Sequence, residues 1–149
     1  MSMQYSGNGY KLTMLSEGAV LKSYQDGRGV WTIGYGHTIG VAASQSCTQQ
    51  QALDWLHLDI QSAVGAVNAL VKASLNQNQF DALVDFTFNL GSGNLSRSSL
   101  LIFVNKGQWL NAYHEFAKWN LCAGKPEAGL TTRREAEATL FATPITQGA

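Results

Sequence analysis

The stretch LSEGAVLKSYQDGRGVWTIGYGHT, residues 15–38, places a helix stop, a tight turn and a glycine-spaced strand in quick succession. Upstream, residues from about Asn8 to Ser16 read as a short helix with Leu12 and Leu15 on one face, ended by Gly18 through a left-handed residue. Glu17 therefore sits where that helix stops. Val20 to Gln25 and Val30 to Tyr35 are rich in β-branched and aromatic residues, and the turn Asp26-Gly27-Arg28-Gly29 between them makes a small hairpin. Alternation along the second strand assigns Trp31, Ile33 and Tyr35 to a core face and Val30, Thr32, Gly34 and Gly36 to the other. That other face carries one hydroxyl and two glycines, the pattern of a strand that a ligand or another backbone approaches closely. Gly34 and Gly36 are no dinucleotide fingerprint, because position 39 is Ile and no strand-helix-strand context surrounds them.

Downstream the hydrophobic period changes. Thr48 with Gln51 is a capping box, and Leu53, Leu56, Ile60, Val64, Val67 and Val71 follow at helical spacing, which predicts one long helix over about 48–72. Asn76 with Gln79 repeats the cap ahead of Phe80, Leu83, Val84 and Phe88, and Gly91 supplies the stop. Further helices are expected near Ser98 to Lys106, Gln108 to Trp119 and Leu130 to Phe141, the last closed by Pro144. The sum is an α+β fold dominated by helix. A hairpin lobe over about 10–47 is joined by the long helix to a helical lobe over about 73–143, within one domain spanning 1–149. The polar tail after Thr143 is expected to fray.

Composition narrows the function classes. Of 149 residues, 45% are apolar and 13% charged, and the ten basic side chains cancel the ten acidic ones. The charges do not segregate, so no nucleic-acid arm or acidic tail is indicated. No window approaches the roughly 18 apolar residues of a membrane span, and the opening MSMQYSGNGY lacks the regions of a secretory signal. Soluble synthesis without stable membrane insertion is expected. Cys47 and Cys122 have no CxxC spacing and read as two buried free thiols. His37, His57 and His114 share no metal-ligand spacing, so neither a metal site nor a cofactor is expected.

The first fifty residues contain only two carboxylates, Glu17 and Asp26. A Glu at a helix end and an Asp in a DG turn are ordinarily solvated or locally capping groups. Here, however, the chain doubles back between them, so two carboxylates nine positions apart can face one cleft, with the Thr32 hydroxyl on the same side.

The residues 15–38 segment resembles the catalytic segment of the phage-type lysozymes of glycoside hydrolase family 24, in its Glu, its Asp nine positions later, its Thr six beyond that, and the TIGYGHT run. DALVDFTFNLGSG (81–93), FAKWN (116–120) and GLTTRREAEATLF (129–141) extend the resemblance over about residues 10–143. It implies a lysozyme-like fold and cleavage of the β-1,4 bond between N-acetylmuramic acid and N-acetylglucosamine in peptidoglycan. Glu17 would be the general acid, and Asp26 and Thr32 would hold the attacking water in an inverting reaction. It further implies that Thr38, Phe88 and Ser99 line the saccharide groove and that Arg133 and His37 support the site. The solvated-helix reading competes for Arg133 and is preferred for Arg134. A structural role is preferred for His37, and a core role competes for Phe88.

On this resemblance the chain is expected to act as a monomeric endolysin, made in the host cytoplasm and released to the wall through a membrane lesion. A secreted antibacterial effector lysozyme, or an inactive wall-binding module on the same fold, are the alternatives.

Overall fold

The computed structural model describes residues 2–145, and the chain divides into two compact units, one over Thr13–Gln61 and the other over Met1–Leu12 with Ser62–Ala149. The first helix, α1 (Gly7–Glu17), runs from one unit into the other. It ends at Gly18, whose φ of 67° is the left-handed stop expected of it. Of the two leucines read as one face of this helix, Leu12 is buried whereas Leu15 is 77% exposed.

In the Thr13–Gln61 unit, β1 (Val20–Gln25) pairs antiparallel with β2 (Trp31–Gly34), Tyr24 opposite Thr32 and Gln25 opposite Trp31. The second strand stops one residue short of Tyr35, because Gly34 turns to φ 66° and breaks the alternation. Behind this hairpin lies α2 (Gln49–Asp59), opened by the Thr48–Gln51 capping box, with Ile33, Tyr35, Ala52, Leu56 and Ile60 as the buried apolar set. The long helix expected over 48–72 is instead two helices, with α3 (Gln61–Leu70) beginning after a break at Ile60. There the Gln61 side-chain amide donates to the His57 carbonyl at 3.1 Å.

In the other unit, α4 (Gln77–Leu90) is buried almost all round from Phe80 to Thr87, as a central helix must be. Its Asn76–Gln79 capping box and its stop at Gly91 are present as read. Around it stand α5 (Ser92–Arg97), α6 (Ser99–Asn105), α7 (Trp109–Glu115), a 3-10 turn (Phe116–Lys118) and α8 (Ala128–Ala142). The α4–α8 pair makes the most extensive packing between elements. Phe86 meets Phe116 and Trp119 edge to face at 5.8 and 5.5 Å. The sequence reading missed α5 and a two-residue hairpin, β3 (Leu121–Cys122) and β4 (Lys125–Pro126), whose turn uses positive φ at Ala123 and Gly124. Cys122 is consequently exposed and Cys47 half-buried; both thiols are free, but the expectation that both are buried fails.

The first residues of the chain are fastened to this same unit. Met3 exchanges two hydrogen bonds of 2.9 Å with the Asn68 side chain, and Gln77 donates to the Gln4 carbonyl. Ser6 donates through both its amide and its hydroxyl to the buried carboxylate of Asp81. The fraying expected beyond Thr143 falls chiefly on 146–149, outside the described residues.

Candidate active site

The hairpin turn holds Asp26 by its own backbone. Asp26 Oδ1 accepts from the amides of Arg28 at 2.8 Å and Val30 at 2.9 Å, while the Asp26 amide donates to the Val30 carbonyl at 2.9 Å. Those two amides, helped by the Arg28 charge, hold the carboxyl below its ordinary value. Asp26 Oδ2 has no protein partner among the described residues and is left to accept from elsewhere.

Thr32 is tied to the same peptide unit. Its hydroxyl donates to the Val30 carbonyl at 2.9 Å, which commits the proton and leaves the oxygen as an acceptor. Thr32 is only 4% exposed, so the alternation reading, which set it on the face opposite the core, undercounts its burial. The two glycines of that face have separate causes. A Cβ on Gly34 would stand 3.1 Å from Ala52 Cβ, so α2, and not a ligand, is what comes close there. A Cβ on Gly36 would stand 3.4 Å from Glu17 Oε2. The half-buried Glu17 carboxylate, carried at the end of α1, is thus set against the glycine that follows the hairpin.

His37 is held on several sides. It is buried, its Nδ1 lies 2.7 Å from Asp59 Oδ2, its ring stacks on Trp55 with centroids 4.6 Å apart, and its backbone pairs with Ile33 in both directions. Thr38, next along, is exposed. Glu17, Asp26, Thr32, His37 and Thr38 all belong to the Thr13–Gln61 unit.

The remaining residues singled out in the sequence lie in the other unit. Ser99 is exposed at the start of α6, on the wall of a pocket of about 500 Å³ that also presents Arg97, Glu115, Lys118 and Trp119. Phe88 is half-buried on α4. Arg133 and Arg134 are buried, not solvated: Arg133 makes a two-pronged ion pair with Asp85 at 2.9 Å, and Arg134 meets Glu137, Asn89 and the Trp119 carbonyl. Burial and the neighbouring Asp85 push the Glu137 carboxyl well above its ordinary value, against the pull of both arginines. Asp85, Asn89 and Glu137 were not read as partners, since a buried charge cluster between α4 and α8 leaves no local pattern. The one available signal was two adjacent arginines in a chain with so few charges. Among the described residues no group of three or more His, Cys, Asp or Glu is placed to hold a metal ion.

The phage lysozyme family model matches residues 15–137. The chain is 44% identical to the endolysin of Bacillus phage PZA over 142 residues, covering 93% of itself but only 55% of that relative. It is 40% identical to the endolysin of Acyrthosiphon pisum secondary endosymbiont phage 1, over 93% of this chain and 98% of that one. It thus spans about half the length of the Bacillus phage relatives and nearly all of the other. In structure it superposes on the muramidase domain of SpmX from Asticaccaulis excentricus with a TM-score of 0.90, at 37% identity, over 95% of this chain and 99% of that domain. With its mostly helical α+β fold and its hairpin-borne carboxylate, this chain belongs to the phage lysozyme family.

Proposed function

We propose that the protein is an endolysin-type muramidase that hydrolyses the β-1,4 bond between N-acetylmuramic acid and N-acetylglucosamine in peptidoglycan. One observation carries the reading: Val30 joins Asp26 and Thr32, its amide donating to Asp26 Oδ1 and its carbonyl accepting from the Thr32 hydroxyl. Asp26 Oδ2 and the Thr32 oxygen are then both acceptors, the arrangement that orients a water by its two hydrogens. In this reaction the water attacks the anomeric carbon and yields its proton to Asp26, while Glu17 protonates the departing glycosidic oxygen. The displacement is single, so the configuration inverts and a β-linked substrate first yields the α-anomer. Thr38, Phe88 and Ser99 contact the glycan in this reading, and Arg133 and His37 support the fold around it.

The protein acts as a monomer on the wall, after synthesis in the host cytoplasm and release through a membrane lesion made by another protein. No helix among the described residues is long and apolar enough to cross a membrane.

The test pairs Glu17→Gln with the wild type on purified sacculi. The amide keeps the shape but donates no useful proton, so release of reducing ends should fall by about 10²–10⁴-fold with unchanged melting temperature. More than about a tenth of the wild-type rate would remove Glu17 from the role. A wild type that binds sacculi without cutting them would make the protein a wall-binding module. Proton NMR of the first product, taken before mutarotation, tests the water: an initial β-anomer would make Asp26 a covalent nucleophile.

A further inference from the structure

A pocket of about 360 Å³ opens on the second unit between the start of α4, the outer face of α7 and the end of α8, and it shares no residue with the pocket that Ser99 lines. Its volume is within the range of small-ligand sites. Trp109 and Tyr113, one helical turn apart on α7, present aromatic surface to it, with Leu110 at the lip. Trp109 is 36% exposed, and its ring is propped on Phe141, centroids 6.2 Å apart. Across from them stand the amides of Asn76 and Gln79. Each amide spends its oxygen in the capping box, Asn76 Oδ1 on the Gln79 amide at 2.8 Å and Gln79 Oε1 on the Asn76 amide at 2.9 Å. Asn76 Nδ2, Gln79 Nε2, Trp109 Nε1 and the Tyr113 hydroxyl have no protein acceptor among the described residues.

No charged side chain lines this pocket. Aromatic faces with surplus neutral donors suit a ligand that is itself neutral, has apolar C–H faces and is rich in carbonyl and hydroxyl acceptors. A carboxylate or phosphate would find no cation here, and an ammonium no anion. Within a wall polymer the N-acetylated hexose answers that description, through its ring face and its acetamido oxygen, whereas the charged stem peptide does not. A chain with formal net charge +0 also lacks the electrostatic attraction by which a basic protein is held on an anionic wall. We infer that the Trp109–Tyr113 pocket is a second, non-catalytic saccharide site that holds the protein on glycan strands, an inference that rests on the muramidase reading above.

The experiment measures co-sedimentation of the full chain with glycan strands stripped of stem peptides by an amidase, in a Glu17→Gln background so that nothing is cut. Trp109→Leu keeps apolar packing on Phe141 but removes the aromatic platform, and Trp109→Tyr restores an aromatic ring. The leucine variant should bind the strands roughly five- to tenfold more weakly and the tyrosine variant within about twofold of the parent. In the otherwise wild-type enzyme, Trp109→Leu should slow hydrolysis of sacculi while leaving hydrolysis of a short soluble oligosaccharide unchanged. If Trp109→Leu fails to fold, Tyr113→Ala, on a half-buried residue, supplies the same comparison. Strand binding that survives in folded Trp109→Leu or Tyr113→Ala overturns the site, as does binding that needs the stem peptides, or an equal loss on sacculi and soluble oligosaccharide. Failure of the muramidase reading shows separately, as absence of new reducing ends from the wild type.

Discussion

A methyl group at position 36 would stand 3.4 Å from Glu17 Oε2, on backbone whose φ is 80°. Gly36→Ala therefore carries a backbone penalty: a left-handed φ on a residue with a Cβ costs about 1–2 kcal/mol of stability. The methyl itself would meet the Glu17 carboxylate in ordinary van der Waals contact, so kcat should fall no further than that instability accounts for at a temperature where the variant is folded. A melt beside a sacculus assay gives both numbers; a kcat that falls further would mean that Gly36 also positions Glu17. Asp26 allows a pH argument. Its folded value is depressed, so the stability it contributes is present above the unfolded value and lost as pH falls through the lower folded one. Its charge persists below 3.8, the ordinary aspartate value, so any acid limb of kcat/KM above that pH must come from another group. The pH profile of Asp26→Asn, measured on its residual activity, should keep such a limb. The places of Glu17 at a helix stop and Asp26 in a hairpin turn could be read from sequence because a glycine stop and a DG turn are local chemistry. The burial of Arg133 could not, because Asp85, which neutralises it, lies 48 positions away in the chain.

Between elements, the charge cluster of α4 and α8 decides more than its few residues suggest. Arg133 and Asp85 have side chains 7% and 0% exposed, so neither charge can be left alone there. Arg133→Met should destabilise the protein by about 3–5 kcal/mol, the cost of stranding a buried partner, read as a large fall in melting temperature. Glu137 behaves in the opposite sense to Asp26. Its folded value is raised above 4.5, so from about that pH up to the folded value the native state holds more proton than the unfolded chain, and stability falls as pH rises. Glu137→Gln should flatten that slope in denaturant titrations at successive pH values; a slope that stays the same would assign it to another group. Sequence spacing located α4, whose cap and glycine stop are local signals. It gave no warning of the break at Ile60, where the Gln61 side chain reaches back to the His57 carbonyl. Nor did it find β3 and β4, which are too short for a period to register.

For the molecule as a whole, the balance of ten positive and ten negative side chains makes salt a weak lever. Between roughly 0.01 and 0.1 M salt the Debye length shortens from about 30 to about 10 Å, and the rate on sacculi should change by less than about twofold. A steep fall would reveal a local basic patch that the net charge conceals. Fold class was legible because the change from a two-residue to a 3.6-residue period survives any detail of packing, whereas the division into units follows contacts between distant segments. One such set of contacts governs timing. Met3, Gln4 and Ser6 are fastened to Asn68, Gln77 and Asp81, and α4 packs chiefly on α8, so one unit is built from the two ends of the described chain. A ribosome making this protein emits the first strip of that unit early and α8 only after the whole Thr13–Gln61 unit has passed. The unit made from one unbroken stretch can therefore fold while the other still waits for the helix that packs on α4.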